Sequence, residues 1–186
     1  MNKEFRRQFL HFFFGSIVIL AIIFFGTTNF LIANSLILVL GYLLSLQIKK
    51  GLKLPLIKNF LDYAGRSIEK QIPGKGALTF FVGTLITGIV FYNNQLIFIG
   101  AIIPLVFGDS TSTIIGKAIG KIEISGGKTL EGSTAGVLIS FLFLSVLFPL
   151  STAFIAALAG MAMEYLPIED NYTIPIATGI ALMLLI

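Results

Sequence analysis

The sequence predicts an all-α, polytopic membrane protein, one helical bundle over residues 1–186, and three observations predict it. Hydrophobic residues make up 56% of the 186 and charged residues 12%, with a mean hydropathy of +0.96. A soluble domain of that length has too much surface to carry so few charges. The apolar runs are continuous rather than alternating, which fits helices and not the two-residue period of a barrel. The Lys, Arg, Asp and Glu residues fall between the runs or before the first. In a bilayer core no water satisfies backbone polar groups, so helices must satisfy their own.

Seven runs stand out: Phe9–Phe25, Phe30–Ile48, Ala77–Tyr92, Leu96–Phe107, Ser133–Phe148, Ser151–Met163 and Ile174–Ile186. The first two approach the roughly 20 residues that cross hydrocarbon. The later ones are short, as expected of discontinuous helices around a cavity. About seven transmembrane helices follow, or six if a late segment is re-entrant. Phe9–Phe25 is long for a signal peptide and is followed at once by another span, so it reads as a mature first helix.

Short uncharged turns, Gly26-Thr27-Thr28-Asn29, Tyr92-Asn93-Asn94-Gln95 and Pro149-Leu150-Ser151, alternate with long polar connections at 49–76, 108–132 and 164–173. All 13 Lys and Arg lie at the N-terminus or in the first two of these connections. The positive-inside rule makes that side cytoplasmic, in the cell membrane if the source is prokaryotic. The nine acids fall on the same side, so the N-terminus and any chemistry are expected there. Residues 49–75 mix nine charges with Leu and Ile, the pattern of an interfacial amphipathic helix.

With no Cys and one His, thiolate nucleophiles, disulfides and Cys/His metal sites are excluded. The net charge of +4 flanks hydrophobic spans, so anionic lipid headgroups are its expected partners and nucleic acid is not. His11, one turn after Arg7, reads as a packed interface residue rather than a catalytic base.

Four clusters carry candidate chemistry. If Gly108–Lys121 continues the fourth helix, Asp109, Thr113 and Lys117 stack on one face at four-residue spacing. Gly108, Ser112, Gly116 and Gly120 form a parallel row. Asp109, with hydroxyls at Ser110 and Thr113, fits a Mg²⁺–phosphate site; the glycine row reads as helix packing. Next, Ser125-Gly-Gly-Lys-Thr-Leu-Glu131 runs into a helix start. There Gly127, Lys128 and Thr129 resemble the end of a phosphate loop without its full spacing, and Glu131 adds an acid. As a loop alone this is equally an ordinary turn. The third cluster, Glu164-Tyr-Leu-Pro-Ile-Glu-Asp170-Asn171, puts acids and an amide in a short break, suited to a divalent metal or to solvent. The fourth holds Arg66 and Lys75, which face phosphates or headgroups. All four sit on one side, and phosphoryl transfer needs what they jointly offer: acids for Mg²⁺ and cations for phosphates.

The run Gly108–Gly136 resembles the nucleotide-binding signature of the polyprenol kinase family, which includes dolichol kinase, phytol kinase and CTP-dependent diacylglycerol kinase. The segments 7–11 (RQFLH), 66–80 (RSIEKQIPGKGALTF) and 164–175 (EYLPIEDNYTIP) add weaker matches in the same order. The resemblance implies a membrane-embedded kinase using Mg²⁺ and CTP on a long-chain lipid alcohol. It implies phosphate contacts by Lys117 and Lys128. Asp109, Glu131 and Asp170 would act on metal or hydroxyl, with Glu164 and Asn171 beside them. A cytidylyltransferase that makes a CDP-lipid would use similar groups and release pyrophosphate. A transporter would instead need charged or polar residues along several spans and chemistry on the far side, whereas mid-span polarity is limited to Ser, Thr, Asn and Gln such as Asn34 and Ser35. The small-residue rows permit pairing between copies, so a homo-oligomer is allowed.

Overall fold

A computed structural model of the chain describes residues 3–52 and 72–186. Most of the expected interfacial helix at 49–75, Arg66 included, lies outside the described residues. The described chain is helical apart from one small ribbon. Its elements are α1 (Lys3–Lys49), α2 (Lys75–Val90), α3 (Gln95–Ile103), a π turn (Pro104–Gly108), α4 (Asp109–Ile119), β1 (Glu123–Ser125), β2 (Lys128–Thr129), α5 (Leu130–Leu144), α6 (Leu150–Ala162), a 3₁₀ turn (Met163–Tyr165) and α7 (Asp170–Leu185).

α1 breaks at Gly26, whose φ of 78° and ψ of 164° are open to glycine and costly for other residues. The break makes a helical hairpin. Residues 3–25 run antiparallel to α3 and α4: Gln95 Nε2 donates to the Ile22 carbonyl (3.0 Å) and His11 Nε2 lies 3.1 Å from the Leu105 carbonyl oxygen. Residues 27–49 run back along α2. Thr28 Oγ1 meets Tyr92 OH at 2.8 Å, Asn34 Nδ2 donates to the Phe81 carbonyl at 3.1 Å, and Ser45 Oγ donates to the Pro73 carbonyl at 2.8 Å. Asn34 is buried, and its amide is the kind of polar link that joins apolar helices.

α3 is the central post. Ile97 to Gly108 are buried without interruption, with Phe98, Ile102, Leu105 and Val106 fully enclosed. Across Pro104–Gly108 the helix widens, and the Asp109 N–H returns to the Pro104 carbonyl five residues back. Gln95–Ile119 is therefore one run of 25 residues, about 37 Å at helical rise. Among the described residues α1 and this run are the two helices long and apolar enough to cross a membrane; α2, α5 and Leu150–Tyr165 are shorter apolar helices.

The glycine row packs, as its spacing predicts. α4 lies against α5 so closely that a methyl group on Gly132 would sit 2.6 Å from the Ser112 carbonyl oxygen, and one on Gly136 3.0 Å from that of Gly108. Large side chains there would separate the backbones. The ribbon was not foreseen. Ser125 pairs with Lys128 across Gly126 and Gly127, both at positive φ (58° and 79°), the backbone a two-residue hairpin turn demands.

Candidate functional site

α4, the ribbon and the 3₁₀ turn before α7 meet at one end of the bundle. There α4, the ribbon and Asp170 at the start of α7 line a cleft of about 310 Å³ with the first turns of α1, and Glu164 of the 3₁₀ turn lies buried behind it. Asp109 opens α4 one residue after the π turn, so its side chain, with Thr113 and Lys117 one and two turns on, faces the cleft. The tight Gly126-Gly127 turn projects Lys128 into the same space.

Lys128 Nζ is the centre of the site. It stands 3.5 Å from Asp170 Oδ2, 3.7 Å from Glu164 Oε1 and 3.8 Å from Asp109 Oδ1. Glu164 has no exposed side-chain surface. Its Oε2 accepts a hydrogen bond from Ser112 Oγ (2.9 Å), while Oε1 is buried without one. A buried charge left unpaired costs several kcal/mol, so the ammonium is what makes this cluster tolerable. Burial pushes the Glu164 carboxyl up to about 7 against the pull of Lys128, with Asp109 adding repulsion. Burial, then Asp109, pushes Asp170 up to about 6, again against Lys128. Burial works against the Lys128 charge too, but Asp109, Glu164 and Asp170 outweigh it and hold its pKa above the ordinary value.

Among the described residues no three such side chains close on a metal ion as they stand. The donor set nevertheless fits one. Three hard carboxylates already surround a cation, and Glu164 Oε1 has no hydrogen bond to lose. Asp109, Glu164 and Asp170 would hold Mg²⁺.

The remaining candidates divide. Thr113, Lys117, Gly127 and Thr129 line the cleft. The Gly127 N–H, however, donates to Glu123 Oε1 (3.0 Å), and Thr129 Oγ1 caps α5 by accepting from the Gly132 N–H (3.2 Å). Ser110 is fully buried and its hydroxyl has no partner, so it faces the bundle rather than the cleft. Glu131 does not join the acids. It turns back to accept from the Ile122 N–H (3.3 Å), and backbone N–H groups hold its carboxyl below the usual range. Asn171 donates to Thr79 Oγ1 (2.9 Å) and ties α7 to α2. Lys75 pairs with Glu169 at 3.0 Å, outside the cleft lining.

Glu4, Arg7 and Gln8 line the cleft as well, and sequence reasoning did not place them there. Lys3, Arg6 and Arg7 read as a basic flank, and Arg7 and Gln8 entered only through the weak match at 7–11. The signal lay in Glu4, the sole acid before the first apolar run.

No family model and no solved structure matches the chain. It is 30% identical over 177 residues to the uncharacterized protein MJ1137 of Methanocaldococcus jannaschii, an alignment covering 93% of this chain and 89% of the relative. The chain belongs to the same family as that archaeal protein.

Proposed function

We propose that this protein is a polytopic membrane kinase that transfers the γ-phosphoryl group of CTP to the hydroxyl of a long-chain lipid alcohol in the presence of Mg²⁺. The observation that carries this reading is the convergence of Asp109, Glu164 and Asp170 on Lys128 in a cleft at one end of an apolar bundle. The resemblance of Gly108–Gly136 to the polyprenol kinase signature supplies the nucleotide and the acceptor class.

The bundle would span the membrane about seven times, counting the two arms of α1 separately. Its outer faces carry large apolar side chains such as Phe24 (76% exposed), Val146 (79%) and Leu184 (79%), which suits lipid as the solvent. The cleft would then open at the cytoplasmic interface, where a lipid hydroxyl can meet a water-soluble nucleotide.

In the reaction the acceptor oxygen forms a bond to the γ-phosphorus and the bond to the β-phosphate bridging oxygen breaks, releasing CDP. The hydroxyl proton passes to one of the cleft carboxylates. Bound Mg²⁺ would neutralise phosphate charge. Lys128 supplies a second point of positive charge, and Lys117 a third elsewhere in the cleft wall.

The test uses purified protein in detergent micelles with Mg²⁺, CTP or ATP labelled in the γ-phosphate, and a panel of lipid alcohols. Label in the lipid with release of CDP is expected, and Asp109→Asn and Lys128→Ala should lose it. Pyrophosphate formed from CTP and a lipid phosphate would identify a cytidylyltransferase instead. A protein that consumes neither nucleotide is not a kinase.

A further inference from the structure

Building on the phosphoryl-transfer reading, we propose that Glu4 is a carboxylate stand-in for phosphate, held between Lys117 and Arg7 where a phosphate of the nucleotide docks. Glu4 Oε2 lies 3.1 Å from Lys117 Nζ, and its Oε1 pairs with Arg7. Gln8 Nε2 donates to the same Oε1 at 3.4 Å. Cations from two elements more than a hundred residues apart in sequence thus converge on one carboxylate, in the wall of the cleft that holds Lys128. Carboxylate and phosphate accept the same charge-assisted hydrogen bonds, so a pocket built around one receives the other.

Ordinary helix stabilisation accounts for part of this arrangement. An acid in the first turn favours the helix dipole, and the pair with Arg7 is a common local contact. Neither explains why Lys117 reaches across from α4.

Geometry and charge point further. Lys117 lies two turns beyond Asp109 on the same face, about 12 Å along the axis. The cleft therefore has one cation among the acids, Lys128, and a second cationic pair, Arg7 and Lys117, elsewhere in its wall, the spread that a polyphosphate chain requires. Among the described residues its lining carries three acids, Glu4, Asp109 and Asp170, and three bases, Arg7, Lys117 and Lys128. A polyanion gains from such a balanced site only if an acid gives way. Asp109 and Asp170 face Lys128 and would stay at the centre as the acids that hold the metal. Glu4 is the acid that can leave, since turning its side chain breaks two partly exposed ion pairs and the long 3.4 Å hydrogen bond from Gln8.

The experiment measures binding, so it does not depend on turnover. Full-length protein in detergent is titrated calorimetrically with inorganic triphosphate and with CTP. Glu4→Gln should bind triphosphate about two- to fivefold more tightly than wild type, the scale of a partly exposed ion pair. Lys117→Ala and Arg7→Ala should bind it about tenfold more weakly, and Lys117→Arg should restore most of the loss. Equal or weaker binding by Glu4→Gln, with binding still abolished in Lys128→Ala, would mean that Glu4 positions the cations or holds the metal. That result overturns this inference and leaves the kinase reading standing. Failure of wild type to bind either compound overturns both.

Discussion

The two ends of the bundle are built from the same helices and are held together in different ways. At the end away from the cleft, polar groups are spent on fixed neighbours: Thr28 on Tyr92, Gln95 on the Ile22 carbonyl, and Asn94 on the Ile97 N–H (3.1 Å). Thr27 Oγ1 is an exception, buried without a partner. Among the described residues no Lys, Arg, Asp or Glu stands there. At the cleft end ordinary hydrogen bonds such as Ser112 to Glu164 remain, but the centre is held by opposite charges, with distances of 3.5–3.8 Å around Lys128. Such contacts are long for hydrogen bonds and can be exchanged for a ligand. One end is closed by its own bonding; the other is balanced but replaceable.

The strongest way to break that contrast is to remove the centre of the cleft. Lys128→Ala and Asp109→Asn should each lower kcat by about 10²–10³-fold, the usual loss for a preorganised charge at a reacting centre. Both are measured by transfer of label to lipid. Next in size is a packing change that leaves every charged group in place. Gly132→Leu cannot fit beneath the Ser112 carbonyl. It should destabilise the protein by about 1–3 kcal/mol, read as a lowered midpoint of thermal unfolding in detergent.

The pH dependence sharpens the contrast from another side, with two opposite signs. A protonated carboxyl does not hold a cation, so Mg²⁺ affinity should rise as Asp170 and then Glu164 ionise, near pH 6 and 7. About tenfold or more is expected between pH 5.5 and 8, measured as Mg²⁺-induced protection against heat. Without metal the sign reverses. Both groups have folded pKa values above their ordinary ones, so their protonation stabilises the fold. That stability is fully present at acid pH and is lost as pH rises through 6 to 7. The smallest effect belongs to the closed end. Tyr92→Phe removes one hydrogen bond and should cost about 1 kcal/mol of stability, while changing phosphoryl transfer by less than about twofold.

Much of this fold was legible because helices in an apolar protein announce themselves as uninterrupted runs, although the turn expected over Gly26-Thr27-Thr28-Asn29 is a break at Gly26 alone, with the next three residues already helical. The stack of Asp109, Thr113 and Lys117 was legible for the same reason, since four-residue spacing fixes a face. The orientation of residues just outside a regular element was not. Asn171 follows Asp170 directly, but one helical step is about 100°, enough to turn its amide to Thr79 while Asp170 faces Lys128. Glu131 adjoins the Gly127-Lys128 turn in sequence, and its helix start aims it at Ile122 instead. The Gly126-Gly127 pair is a recognised hairpin signal, but the strands beside it are only three and two residues long. Glu4 joined the cleft through the hairpin at Gly26, a tertiary arrangement that no local pattern encodes.

The widened turn at Pro104–Gly108 works as a spacer in a reading frame. It absorbs one more residue than an α-helical turn would, and this sets the phase of everything after it. Upstream, α3 is enclosed from Ile97 onward; downstream, α4 turns the row of Asp109, Thr113 and Lys117 to the cleft and its glycine row to α5. Deleting one residue between 104 and 108 would rotate both rows by about 100°. Hydropathy along such a chain would be unchanged, and each helix would still be readable in its sequence. The cleft would not assemble. In related chains, the count of residues between the central post and the first aspartate should therefore separate active members from inert ones more sharply than overall identity does.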